Sequence, residues 1–238
     1  MSKLTLTRVA LPGTLVALTV ASILHPAPAR ADDVPNNTVR AGIYQIFYHV
    51  TADNLVGPYV PPGVNFDVKD VRTAYFSYAR RLTSYLDLEL VGGIPPTTKT
   101  VGKGPATVGS VPYAGATIAT AKWAAPSALL EYKFLNEDAA FRPYIGVGVN
   151  YTSFYNRQIT AAGQEVSGGP TRLSLTPSVG PVGTLGLKWQ PLKRWQMIVS
   201  YTIGRVDSNL KTDTAGVIRT STIHFGPQAL VVAAGYSF

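Results

Sequence analysis

Along most of this chain, large apolar residues and small ones take turns one for one. At the C-terminus Leu230, Val232, Ala234, Tyr236 and Phe238 alternate with Val231, Ala233, Gly235 and Ser237. A β-strand sends successive side chains to opposite faces, so each such segment has one bulky apolar face and one slim face. The pattern recurs clearly in 195–204, 179–189 and 141–151, and more weakly in 127–134, 85–92, 73–80 and 39–47. The alternation predicts eight strands and an all-β fold.

A water-soluble sandwich would bury the large apolar face and solvate the other. Here the second face is rich in Gly, Ser, Thr and Ala, too small for a solvated exterior but suited to a crowded interior, so the bulky face is assigned to lipid. Composition agrees, with 46% hydrophobic and only 14% charged residues, against roughly 25% charged in ordinary soluble domains. The same apolar content excludes disorder. Beyond the N-terminal segment no stretch approaches the ~20 apolar residues of a spanning helix. A membrane chain without such helices must close into a barrel.

The connections support closure. Short ones fall near 81–84, 135–139 and 190–194, and long ones near 51–68, 94–118, 156–176 and 207–220. This rhythm predicts an eight-stranded antiparallel up-and-down transmembrane β-barrel with tight periplasmic turns, extended outer loops and both termini on the periplasmic side. Tyr85, Tyr132, Phe134, Phe141, Trp189, Trp195, Tyr236 and Phe238 all fall at strand ends beside short turns, where an interfacial aromatic girdle belongs.

Residues 1–31 read as a secretory signal. Lys3 and Arg8 form a basic start, 15–24 an apolar stretch, and Ala29-Arg30-Ala31 a small-x-small cleavage pattern. Cleavage after Ala31 leaves 32–238 as the barrel domain. The 31 residues carry three of the chain's bases and no acid, so the remainder holds 18 bases against 13 acids. These are scattered rather than gathered in a stripe, which argues against nucleic acid as a partner.

Zero cysteines exclude disulfides, thiolate metal sites and cysteine nucleophiles. After the signal only His49 and His224 remain, far apart in sequence and outside any ligand spacing, so no metal is expected. Gly146-Val147-Gly148 lacks the third glycine and the helix of a dinucleotide site. The Asn36-Asn37-Thr38 and Asn150-Tyr151-Thr152 triplets match a glycosylation pattern too common to carry weight. No serine, histidine and acid converge in the inferred register, so no catalytic residue, cofactor or enzymatic activity is expected.

Carried along each strand, the alternation turns Arg40, Asp87, Glu89, Glu131, Lys133, Arg142 and Lys188 into the lumen, all near its periplasmic end. Buried charges are costly unless paired. A salt-bridged layer that plugs the bottom of the narrow lumen is therefore expected. Above it the inward set becomes apolar, with Tyr44, Ile46, Tyr75, Val91, Trp123 and Leu129 forming a hydrophobic path. Apolar walls over a charged floor favour a nonpolar guest that leaves through the wall. Pro126, Pro143 and Pro181 cannot donate to a sheet ladder and are the candidates for a lateral opening.

These residues resemble the OmpW family of outer-membrane proteins, which includes the AlkL-type hydrocarbon-uptake barrels. The likeness is carried by Ile118-Ala119-Thr120-Ala121-Lys122, by Pro126-Ser127, and by the run from Phe141 to Tyr151 (FRPYIGVGVNY). It continues in Leu185-Gly186-Leu187 and in the terminal Phe238. The chain departs from the usual pattern at Trp123 and in the Pro- and Gly-rich stretch 57–63. The resemblance implies passive uptake of small hydrophobic molecules across the outer membrane with sideways release into the bilayer. It also implies outer-membrane lipid and the barrel-assembly machinery as partners, the latter reading Tyr236 and Phe238 as its signal. The alternative is a structural barrel whose outer loops bind a surface partner.

Overall fold

Eight strands close on themselves in the computed structural model, which describes residues 35–238. The signal segment expected over 1–31 lies outside the described residues. The barrel strands are β1 (Asn37–Tyr48), β2 (Val71–Arg81), β3 (Leu86–Gly93), β4 (Ser127–Lys133), β5 (Phe141–Ile159), β6 (Ser178–Trp189), β7 (Trp195–Gly204) and β8 (Pro227–Ser237). Each pairs antiparallel with its neighbour in sequence, and β1 pairs with β8 to complete the cylinder.

The side chains explain why the sheet curls. On β8 the outward residues Leu230 and Val232 are exposed, whereas Ala229, Val231 and Ala233 are buried inside. Ile43, Phe76, Leu90, Ile145, Val147, Leu185 and Val199 continue the exposed apolar surface around the wall. In water so broad an apolar exterior would be prohibitive; in a bilayer it is the surface that fits. Small residues make the interior fillable. A Cβ on Gly186 would lie 2.5 Å from the ring of Tyr144, and one on Gly235 about 3.0 Å from Gln196 and 3.1 Å from Arg40. Glycine at these places lets bulky inward groups from neighbouring strands cross the lumen.

At the short-turn end the outward aromatics meet across strands. Tyr85 stacks on Tyr132 at 6.2 Å, Phe141 on Trp189 at 6.0 Å, and Trp195 meets Tyr236 edge-on at 5.2 Å. Both ends of the barrel domain sit here, joined by backbone hydrogen bonds between Asn37 and Phe238.

Seven strands keep within three residues of the bounds the alternation predicts, but β5 runs on to Ile159. Its extra length rises past the rim and pairs with Thr117–Ala124. The long connections are not open loops. Thr97–Lys103 and Asn65–Val68 join that outer sheet, while Thr171–Leu175, Asp207–Thr214, Val217–His224 and Thr51–Ala52 form a second one. A seven-residue helix, Ala161–Ser167, starts where the Thr160 hydroxyl accepts from the Gly163 N–H and ends at Gly168 with φ 86°. Phe66, Val68, Ala121, Leu175, Val206, Leu210, Ile223 and Phe225 form an apolar core between these outer elements.

Candidate functional site

The lumen changes character with height. At the periplasmic end Arg142 donates to the backbone carbonyls of Phe134 (3.2 Å), Ser84 (2.9 Å) and Leu135 (3.0 Å), tying two turns together. Lys133 of β4 pairs with Asp87 of β3. One step higher, Arg40 of β1 reaches Glu89 at 2.6 Å and Glu131 at 3.5 Å. Glu89 Oε1 also accepts from Tyr75 (2.7 Å) and Ser77 (2.5 Å).

All these charged groups are buried, Glu131 to 1% exposure and Glu89 to 2%. Lys188 is half-buried, and among the described residues no carboxylate lies within ion-pair distance of it. Arg40 Nε, Glu131 Oε1 and both amide atoms of Gln196 find no partner among the described residues. Ser77 and Tyr75 belong to this layer by their hydrogen bonds to Glu89, which makes Tyr75, expected in the hydrophobic path, a member of the polar floor as well. Inward parity alone does not mark Ser77 or Gln196, since an uncharged polar residue on the slim face looks like any other.

Above the charges the lining becomes mixed, with Ser127, Thr184, Ser200 and Thr202 standing among apolar groups. A small cavity with room for about one water is bordered by Tyr44, Tyr75, Val91, Leu129, Val231 and, at its base, Glu89. Over it opens a larger space of about 910 Å3, part of it continuous with solvent. Tyr44, Ile46, Val91 and Trp123 line this upper cavity, joined by Tyr48, Phe154, Val206 and Phe225. Tyr48 meets the rings of Trp123 and Phe225 edge-on at 6.5 and 6.4 Å. All six residues of the expected hydrophobic path thus border one or both cavities. Of the four additional residues, Tyr48 and Phe154 continue the inward parity of β1 and β5 beyond the apolar alternation legible in sequence, while Val206 and Phe225 lie between strands, where there is no parity to follow.

One stretch of the wall is unlike the rest. The ladder between β3 and β4 stops at Val91 opposite Ser127, and pairing resumes only where Thr97 faces Lys122. Between these points lie Gly92–Pro96 on one side and Trp123–Pro126 on the other, with no backbone hydrogen bond across among the described residues. Pro95, Pro96 and Pro126 have no N–H to donate. The one carbonyl that Pro126 offers is taken by the Tyr151 N–H of β5 at 3.0 Å, and the Ile94 N–H bonds to Ala74 on β2 at 3.2 Å. Each edge is thus held by its far neighbour and released by its near one. Gly92, Gly93, Ile94, Pro95, Pro96, Ala124 and Ala125 all line the upper cavity.

The other two prolines stand elsewhere. Pro143 faces Leu187 in the β5–β6 ladder near the periplasmic end, and its carbonyl accepts from the Phe134 N–H at 2.9 Å. Pro181 faces Val149 in the same ladder, and its carbonyl accepts from the Arg205 N–H at 3.1 Å. Both rings point outward.

Outside the spanning strands, charges are paired at the surface. Asp207 bonds His224 Nδ1 and Arg205 Nε, each at 2.7 Å, and the hydrogen bond from His224 followed by that from Arg205 holds its carboxyl below the usual range. In a periplasmic turn Glu137 is held low by Ser84 and then by Arg81. Among the described residues no group of His, Cys, Asp and Glu is arranged to hold a metal.

Known proteins share this architecture. A model of the OmpW family matches residues 38–238. Outer membrane protein W of Vibrio cholerae serotype O1 is 24% identical, over 94% of this chain and 99% of its own length. The crystal structure of the outer membrane protein OprG from Pseudomonas aeruginosa superposes with a TM-score of 0.77 at 18% identity, covering 86% of this chain and 96% of that one. The structure of the outer membrane protein AlkL in DMPC lipid bilayers superposes at 0.64 with 17% identity, covering 90% and 96%.

Proposed function

This chain belongs to the OmpW family of outer-membrane barrels, and from that premise we propose that it conducts small hydrophobic molecules passively into the outer membrane. The solute enters the upper cavity from outside, is stopped by the charged layer, and leaves sideways between β3 and β4 into the bilayer. The observation that carries this reading is that the unpaired stretch of wall is also a wall of the apolar cavity.

Physical chemistry favours each step. Apolar guests gain about 25 cal/mol for every Å2 of surface removed from water. They gain nothing from the layer built on Arg40, Asp87, Glu89, Glu131, Lys133, Arg142 and Lys188, in which the first six are engaged with one another or with turn carbonyls and Lys188 adds a charge without a carboxylate partner. Crossing that layer would mean separating buried ion pairs, whereas the seam has no backbone hydrogen bonds to break. The layer therefore acts as a plug. Of the three prolines singled out by the sequence, Pro126 serves the opening, together with Pro95 and Pro96, and Pro143 and Pro181 shape paired strands.

Export and assembly complete the reading. Residues 1–31 direct secretion and are removed after Ala31, and Tyr236 and Phe238 present the C-terminal signal to the assembly machinery. The wall then contacts outer-membrane lipid.

The test restores the missing donors. A Pro95→Val, Pro96→Val, Pro126→Val variant gives the seam three N–H groups. Uptake of labelled n-octane is then measured in cells whose outer leaflet is lipopolysaccharide. Uptake several-fold below wild type, at equal folded barrel, is expected. Uptake equal to wild type would overturn the lateral route.

A further inference from the structure

The two cavities meet at a constriction that is not apolar. Both are bordered by Tyr44, Val91, Ser127, Val182 and Thr202, and Thr184 and Ser200 lie just below. Three hydroxyls therefore stand where an otherwise greasy passage narrows. Their hydrogen bonding leaves spare capacity. The Ser127 hydroxyl donates to the Ala125 carbonyl at 3.2 Å, which leaves its oxygen free to accept. Thr202 and Thr184 share one hydrogen bond of 3.0 Å, and Thr184 lies 3.4 Å from the Tyr201 carbonyl. If that carbonyl takes the Thr184 proton, Thr202 donates to Thr184 and its own oxygen can accept once more.

The charge below selects the kind of head group. Glu89 is the charged residue bordering the lower cavity, and it opposes an anion. A cation fares no better: Glu89 Oε1 already takes donors from Arg40, Tyr75 and Ser77, and the layer beneath holds four bases against three acids. A neutral hydroxyl can donate to Ser127 or Thr202 and accept from Tyr44. Its hydrocarbon part then lies upward against Ile46, Trp123, Phe154 and Val206.

We propose that the constriction formed by Tyr44, Ser127 and Thr202 is a binding site for neutral, hydroxyl-bearing amphiphiles, alcohols or phenols with one apolar group, in preference to pure hydrocarbons and to acids or amines of the same size. This rests on the upper cavity being a solute path and adds a substrate class to it. An uncharged head does not bar sideways departure, because moving it to the interface of a bilayer costs little.

The chain supplies its own reporter. It has three tryptophans, and the buried Trp123 Nε1 in the upper cavity has no hydrogen-bond partner among the described residues. The full chain, 15N-labelled in lipid nanodiscs, is titrated with benzyl alcohol, toluene, benzoate and benzylamine while the Trp123 indole N–H resonance is followed. That resonance is assigned with Trp123→Phe. Each half-saturation is referred to the compound's concentration in the lipid, measured with empty nanodiscs.

Benzyl alcohol is expected to bind about fivefold more tightly than toluene, the worth of one net hydrogen bond, and more tightly than either ion. Ser127→Ala together with Thr202→Val, which removes both acceptors, is expected to bring the alcohol-to-toluene ratio close to one, and either single variant, used if the pair does not fold, is expected to lower it. Because the ratio is taken within one preparation, a smaller folded fraction does not alter it. Toluene binding as tightly as benzyl alcohol overturns the hydroxyl site and leaves the hydrophobic path standing. A Trp123 signal that no compound shifts overturns both.

Discussion

The lower third of the lumen and its upper half are built from the same alternating strands, yet they are held together in opposite ways. Below, charged side chains cross the barrel and their mutual bonds tie β1 to β3 and β4. Above, apolar groups border open space, and the backbone ladder itself gives way between β3 and β4. Removing one member of a buried pair strands the other in a low-dielectric interior, whereas trimming or adding a group beside a cavity changes mainly what fits there. The lower part therefore governs stability, and the upper part governs passage.

The largest effect expected from this contrast is on Arg40. Arg40→Leu leaves Glu89 and Glu131 buried without their shared cation, and a loss of about 3–5 kcal/mol in unfolding free energy is expected. Urea unfolding in detergent, followed by the mobility difference between folded and unfolded barrel, measures it. A loss below about 1 kcal/mol would mean that the charges do not hold the lower barrel together.

The opposite end of the comparison is Val91, which borders both cavities. Val91→Trp places an indole at their junction. Octane uptake is expected to fall about tenfold, with a stability change no larger than the roughly 1–3 kcal/mol of ordinary overpacking. Stability collapsing while uptake per folded barrel stays normal would reverse the assignment of the two regions.

A smaller effect is expected at the outer surface. Asp207 is held ionised by His224 and Arg205, so its folded pKa lies below its unfolded one. Such a group contributes stability that is complete above the unfolded aspartate pKa of about 3.9 and is lost as pH falls through the folded value. Protection against hydrogen exchange in the hairpin Asp207–His224, referred to the intrinsic rate at each pH, should therefore fall at acid pH below about 4, and Asp207→Asn should remove that dependence. The carboxylate is partly exposed, so solvent screening keeps the change slight.

Much of this was legible in residue order because a strand has only two faces. Once Leu230 and Val232 face lipid, parity sends Arg40, Glu89 and Glu131 inward without further information. Partner choice is a different matter, since it depends on stagger between strands and on rotamers. Arg142 turns to three turn carbonyls rather than to an acid, and Arg40 is shared by two carboxylates.

The seam was hidden for a similar reason. Pro126 is conspicuous alone, but its counterparts Pro95 and Pro96 lie some thirty residues earlier, and only register places them across from it. The outer sheets escaped notice because polar residues on both faces of segments such as Asp207–Thr214 blur the apolar alternation from which strands are read.

The central claim is that solute leaves through the β3–β4 seam, and a chain without cysteine allows a direct measurement. Gly92, where a Cβ meets nothing within 4 Å, and Ala125 are replaced together by cysteine, the pair is bridged in intact cells with a reducible bifunctional thiol reagent, and n-octane uptake is followed before bridging, after bridging and after reduction. Uptake that falls on bridging and recovers on reduction is the predicted result. Undiminished uptake through a barrel shown by mass spectrometry to be fully bridged would contradict the account.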